Sequence, residues 1–393
     1  MNCMAGFVGS WLLWAACLAA NAADVQWQGK ATALGGVPVA DGDGNSFRMT
    51  LQPGLKWQLS NALSLKAEVR LRALLQQHER RNDAEMRELT VAWRSGDATL
   101  TLGAQQLNWG RMDILRVTDI VNPVDQHDLF YEEMPEAKLA LWMANAEWQL
   151  GSGSLQLVLA PHVPVDRLPR RFEGFPVRVR EPADSPRNAT YAVRYGFEAA
   201  GWNADVLAIR GWQSLPSLHP VLGPQGVALQ GVPTRQDSVG FSADKPLGTT
   251  VLRLEGLYAR TSNAGELLSN DAHRRTLSLG AGLDVRSGPW FVAGQLIGAR
   301  VVDGASGGDD ERDQLFASLI VQRKWLQDRL SGRALHIRET AHGSSWSSLQ
   351  LSYELSPHQI LLLQGDWFQG PSGATFGAFS GRSRIAASMR WQY

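Results

Sequence analysis

The chain reads as an all-β protein, a closed antiparallel transmembrane β-barrel of about eighteen strands, with about sixteen as the alternative. Three observations predict it. Side chains alternate apolar and polar along most of residues 25–393. The connections between alternating runs are by turns short and long, and tryptophans gather at both ends of the runs. Period two is the signature of a strand. The parity of connections fits an up-and-down barrel with short periplasmic turns and long extracellular loops, and paired aromatic belts are what two bilayer interfaces favour.

The first 22 residues stand apart. Phe7 to Ala20 is mostly apolar and Ala20-Asn21-Ala22 makes a small-x-small step, which predicts a signal peptide over 1–22, cleaved near Ala22. No Lys or Arg precedes the apolar run, and Trp14 disfavours Cys17 as a lipid-modified residue. Both cysteines, Cys3 and Cys17, fall in this segment, so the barrel at 23–393 must hold together without disulfides. Lys+Arg and Asp+Glu number 38 each, which gives no indication of a nucleic-acid partner.

In the barrel region Leu65, Ala67, Val69, Leu71 and Ala73 share one face, against Lys66, Glu68, Arg70 and Arg72. Leu277, Leu279, Ala281 and Leu283 oppose Ser278, Gly280, Gly282 and Asp284. Further runs are expected at 86–95, 202–213 and 235–246, with long loops at 76–85, 108–137, 162–187 and 214–234. Trp93, Trp148 and Trp290 fall beside short turns, and Trp142, Trp212 and Trp346 beside long loops. The last run sets Ile385, Ala387, Met389, Trp391 and Tyr393 against Arg384, Ser388 and Arg390. It resembles the closing strand of bacterial outer-membrane barrels, which implies the barrel-assembly machinery as a partner of the Tyr393 end.

The inward positions carry Lys66, Glu68, Arg70, Arg72, Glu88, Arg94, Glu147, Arg194, Glu198, Arg253, Glu255, Arg384 and Arg390. On a lipid face each Arg or Lys would cost about 2–4 kcal/mol at midplane, so these groups face water or one another. Two readings stay open. The charges are ion pairs within the wall, or they line a polar conduit and set its selectivity. The 162–187 loop holds Arg167, Arg170, Arg171, Arg178, Arg180 and Arg187 against Asp166, Glu173, Glu181 and Asp184. It suits an anionic solute, lipopolysaccharide phosphates, or simple solvation with internal pairs.

The sequence holds no paired metal-ligand motif and no Walker lysine, so neither an enzyme nor a cofactor is expected. The segment "NWGRMDILRVTDIVNPVD" is the chemically dense stretch that is not strand-like. Met112 to Val121 is expected to make one or two amphipathic turns, with Ile114, Leu115 and Val117 as the apolar side, ended by Asn122-Pro123. A loop this long is usually functional or folded inward. Trp109, Arg111, Asp113, Arg116, Asp119, Asn122 and Asp125 are therefore the constriction candidates, and an external cap is the alternative.

Gly103, Gln105, Trp109, Gly110, Asn122, Pro123, Asp125, Pro135, Glu136 and Lys138 give a G-x-Q-x-x-x-W-G run, an N-P-x-D step and a Pro/Glu/Lys stretch. The pattern resembles a sparsely characterised, porin- or exporter-like family of proteobacterial outer-membrane barrels. The resemblance implies work beside a periplasmic or inner-membrane exporter of lipids or hydrophobic compounds. The functional expectation is an outer-membrane channel that passes or exports a solute or envelope compound through a charged lumen, in contact with outer-membrane lipids and lipopolysaccharide. A non-transporting surface receptor, adhesin or assembly component is the alternative.

Overall fold

Backbone pairing uses up the alternating runs. The computed structural model describes residues 25–39, 45–76, 79–127, 134–168, 171–172, 175–179, 181–223, 226–262, 273–303 and 313–393. The signal-peptide segment and Arg170, Glu173 and Arg180 lie outside them. In chain order the strands are β1 (Val25–Pro38), β2 (Ser46–Gln58), β3 (Leu63–Gln76), β4 (Glu79–Ser95), β5 (Ala98–Gln105), β6 (Leu141–Leu150), β7 (Gly153–Ala160), β8 (Arg171–Phe172), β9 (Phe175–Val179) and β10 (Thr190–Ala199). They continue as β11 (Trp202–Gly223), β12 (Gly226–Leu247), β13 (Thr250–Ser262), β14 (His273–Ser287), β15 (Trp290–Asp303), β16 (Asp313–Trp325), β17 (Leu330–Glu339), β18 (Ser345–Ser356), β19 (Gln359–Gln369) and β20 (Arg384–Gln392).

Eighteen of these, β1–β7 and β10–β20, form the barrel, each antiparallel to its neighbour, with β7 bonding directly to β10. β1 closes on β20 from Lys30↔Gln392 to Pro38↔Arg384, so every wall strand has two partners. The count is the eighteen that the alternation predicts.

The two faces of the wall are inverted relative to a water-soluble protein. Leu71, Leu102, Leu157, Val206, Phe241, Leu279, Leu296, Leu319, Leu349, Leu363 and Ile385 are exposed on the outside. Arg70, Gln156, Asp205, Ser242, Glu255, Asp284, Gln295, Ser348, Gln364 and Asp366 are buried on the inside. A continuous exposed apolar band with polar groups behind it is stable only against an apolar solvent. The connections at 248–249 and 288–289 hold to two residues because Gly248 (φ +65°) and Gly288 (φ +54°) adopt the left-handed conformation that a tight hairpin turn needs.

Four expectations are corrected. Residues 79–85 are strand, not loop: β4 pairs with β3 as far as Gln76↔Glu79, which brings Asp83 and Glu85 into the wall. Residues 214–234 also continue the ladder, with a bulge between Gln213 and Ser217 and pairing out to Gly223↔Gly226. Pro216 and Pro220 are tolerated there because β11 has no β10 partner beyond Arg210, leaving a free edge that needs no proline N–H. β9 adds in parallel at Leu229↔Val177. No helix forms over 112–121, and the short helix α1 lies later, at Met134–Ala137. Trp346 belongs to neither lipid belt: it is buried inside and stacks on Phe368 at 6.0 Å.

The core sits in the lumen. Trp109, Val117 and Val121 pack against Met143, Val158, Leu207, Ile209 and Leu257 of the wall. Burying each such side chain stabilises by about 1.5–3 kcal/mol. A second cluster joins Phe376, Phe368, Trp346, Ile337 and Ile320, and Ile114 packs against it.

Candidate functional site

From 106 to 127 the chain leaves β5 and crosses the barrel interior, and residues 134–140 lead into β6. The ends of this connection are adjacent because Gln105 pairs with Leu141. Trp109 donates its indole N–H to Gln156 at 2.9 Å, under the Arg194 guanidinium. Gly110 leaves no room for a side chain, since a Cβ there would lie 2.9 Å from the Asp119 Cβ. Wall glycines make the matching space: a Cβ on Gly280 would meet Met112 and Val117 at 3.2 Å.

Glu255 explains why no helix forms. Its buried carboxylate accepts the backbone N–H groups of Arg111, Met112 (2.8 Å) and Thr118 (3.0 Å) and the Thr118 hydroxyl (2.9 Å). Those donors bond to the wall in place of a helical ladder. Arg111 pairs with Asp205 and Asp244 and reaches Ser242 at 3.2 Å. Asp113 accepts from Arg253 at 3.1 Å and Gln295 at 2.9 Å, and Arg253 also pairs with Asp284. Arg116 turns back to the Asn122 carbonyl at 2.9 Å.

Asn122 ties the return. Its side chain accepts from the Leu107 N–H at 2.8 Å and donates to the carbonyls of Gln105 (3.0 Å) and Leu139 (2.9 Å). Lys138 is buried, donates to the Leu107 carbonyl at 2.8 Å and pairs with Asp119. Burial pushes its ammonium below the usual lysine range, against the pull of Asp119.

A second charged cluster fixes the far end of the segment. Arg70 is buried and forks onto Glu85 at 3.0 and 3.1 Å, while donating to the Glu136 carbonyl at 2.8 Å. Arg72 binds Asp83 (2.9 and 3.0 Å) and Asp125 (2.8 Å), and Arg167 reaches Glu85 and Asp125 at 3.1 Å each. Burial alone would raise the Asp125 pKa. The hydrogen bonds from His127 and Arg72 outweigh it and hold the carboxyl well below the usual carboxylate range.

That depression carries a sign. A carboxylate lowered in the docked state stabilises it above about pH 4, its free pKa. The contribution is lost as pH falls below that value, by about 1.4 kcal/mol per unit for one proton. Thermal unfolding of the detergent-solubilised barrel between pH 5 and pH 2 is therefore expected to show a steeper acid loss than the Asp125→Asn variant. Equal slopes would remove Asp125 from the account.

The other wall candidates divide. Lys66 pairs with Glu88, and Glu68 accepts from Gln52. Arg194 reaches Asp205 at 3.2 Å, and Arg384 lies 3.8 Å from Asp366. Glu147 accepts from Gln149 at 3.3 Å near a short turn. Arg94 and Glu198 lie exposed beside short turns, and Glu198 shares a small pocket with Asn108, Trp109 and Arg111 of the crossing segment. Arg390 faces the open part of the lumen.

That open part is a cavity of about 1020 Å³ between the crossing segment and the wall of β1, β2 and β15–β20. Lys30, Arg48, Arg333 and Arg390 line it from the wall, and Asp113, Arg116 and Asp119 from the segment. Lys30 pairs with Glu136. Among the described residues, Arg333 and Arg390 have no carboxylate partner. The sequence reading missed Lys30, Asp83, Glu85, Arg87, Asp205 and Arg333. The alternation Arg81, Asp83, Glu85, Arg87 was the available signal for the cluster on β4.

A closed barrel, apolar outside, charged inside and partly filled by its own chain, has the architecture of the outer-membrane β-barrels. Solved structures of that fold resemble it along nearly the whole chain. OccK3 (OpdO) of Pseudomonas aeruginosa has 12% identity and a TM-score of 0.57 over 96% of this chain and 97% of that one. OccK5 (OpdH) of the same organism has 11% identity and a TM-score of 0.57, over 95% and 98%. OccAB1 of Acinetobacter baumannii has 9% identity and a TM-score of 0.57, over 94% and 95%. At these identities the likeness is one of fold. No protein-family model and no curated protein matches the sequence.

Proposed function

We propose that this barrel is a passive outer-membrane channel for small polar solutes, with the 106–138 segment as its constriction and a preference for anions. The carrying observation is the cavity left beside that segment, with Arg333 and Arg390 on its wall and no carboxylate partner for either among the described residues. Fixed positive charge in a narrow, low-dielectric passage raises the local concentration of anions and excludes cations. The likeness to outer-membrane barrels supports the membrane setting. In this reading the short turns face the periplasm and the long connections face outward. Passage runs down the solute's own gradient, so uptake and export use the same lumen. An exporter in the periplasm or inner membrane would set the direction by supplying cargo. No catalytic step is required.

Planar-bilayer recording of the purified full chain tests this. In a salt gradient the reversal potential is expected on the chloride side. Arg333→Gln with Arg390→Gln is expected to move it toward the non-selective value and to lower anion permeability roughly two- to tenfold. A protein that inserts but never conducts would sink the channel reading. Unchanged selectivity in the double variant would sink the role given to the two arginines.

A further inference from the structure

Charge also lies on the outside of the barrel, in a row at one edge of the apolar band. Arg210, Asp237, Arg260 and Arg275 stand directly opposite one another on β11, β12, β13 and β14: the register pairs Arg210↔Asp237, Asp237↔Arg260 and Arg260↔Arg275. All lie on the outward face. Two residues further along the same strands are Val239, Tyr258 and Leu277, each exposed and each a neighbour of the next in register. The row therefore marks the margin of the apolar band, on the side away from the short turns at 248–249 and 288–289.

The balance within the row is positive. Arg210 is 3.9 Å from Asp237, and Arg275 is 2.9 Å from Asp303. Arg260 is exposed and has no carboxylate partner among the described residues. It stands in register between Asp237 on β12 and Arg275 on β14, and the like charge across the β13–β14 pair is destabilising. Arg235 flanks the row, its guanidinium 4.8 Å from the Trp212 ring. Arginines clustered at the height where lipid headgroups begin, two of them face to face, form a fork for an anionic headgroup oxygen.

We propose that this row binds the phosphates of a phosphorylated glycolipid of the outer leaflet, with the acyl chains lying along Tyr258, Val239 and Leu277. The anion completes the pairing that the sheet leaves open at Arg260, with Arg275, which keeps Asp303, beside it. The site rests on the reading of the barrel as membrane-spanning with its long connections outward, but not on conduction.

The folded full-length barrel in detergent is titrated with lipid A bearing both phosphates, with dephosphorylated lipid A, and with phosphatidylglycerol. Native mass spectrometry reads the bound fraction. The diphosphorylated form is expected to bind best. Arg260→Gln with Arg275→Gln is expected to weaken it about fivefold per arginine, roughly 25-fold for the pair. Arg323→Gln, a cation at the short-turn end stacked on Trp290 (4.9 Å), is expected to leave it unchanged. Equal binding of the dephosphorylated lipid by the native protein overturns the proposal without reference to any variant. Equal binding of phosphatidylglycerol overturns its commitment to a glycolipid. Conductance of the double variant, recorded in lipid A-free bilayers, separates the two readings: normal conductance with unmoved lipid affinity removes this site alone, and absent conductance with lost affinity removes the channel alone.

Discussion

Excising residues 111–134 is expected to raise single-channel conductance at least about threefold and to abolish most of the ion selectivity, with the barrel still folded. An unobstructed barrel of about eighteen strands is wide enough for an aqueous channel. Here much of that width is taken by the segment that carries Met112, Ile114, Leu115 and Val117 into the lumen. The excision is geometrically mild. Lys138 already donates to the Leu107 carbonyl at 2.8 Å, and Gln105 pairs with Leu141, so residues 108–110 and 135–137 can close the shortened loop. Glu255 then loses the donors that it satisfies, and Arg253 and Asp284 keep each other. The heat-modified mobility and β-sheet circular dichroism of the excised protein report folding, and planar bilayers report conductance. A folded variant with native conductance would mean that solutes do not pass the 106–138 segment at all.

The barrel was legible because lipid outside and charge inside force a strict period-two code on each strand. Leu71 beside Arg70 and Arg72, or Leu283 beside Asp284, leaves one admissible orientation. The code weakens where the crossing segment replaces water. Leu207 and Ile209 point inward with Asp205 because Trp109 and Val121 lie against them. Apolar side chains therefore occupy both faces of β11, and polarity no longer tells lumen from lipid. The same effect hid the position of Trp346, whose inward ring packs on Phe368. The crossing segment itself was legible as a unit but not in conformation. Its apolar spacing suits a helix, yet helix requires its own N–H groups, and Glu255, about 140 residues away in sequence, takes three of them. No local rule contains that competitor. Arg333 was missed because a lone arginine on a polar strand face is indistinguishable in sequence from one half of an ion pair.

Glu85→Ala is expected to destabilise the folded barrel by about 3–5 kcal/mol, the range for breaking a buried ion pair from one side. Glu85 is buried and serves several cations at once: Arg70 at 3.0 Å, Arg87 at 2.9 Å and Arg167 at 3.1 Å, with Arg72 at 3.7 Å. Its removal leaves Arg70, itself almost fully buried, with Glu136 at 3.8 Å. Asp83 and Asp125 cannot move to replace it, because both are held by Arg72 at 2.9 and 2.8 Å. Most of the loss is the cost of keeping these guanidinium groups buried without the Glu85 carboxylate rather than the net worth of the pair. A second variant separates these terms: Glu85→Leu with Arg70→Met removes both charges and is expected to recover more than half of the stability. Urea unfolding in lipid vesicles measures both. A single variant within about 1 kcal/mol of the native protein would mean that water reaches the cluster. A double variant no better than the single one would mean that Arg70 holds α1 through its bond to the Glu136 carbonyl, at 2.8 Å, and that the cluster is kept to anchor the end of the constriction.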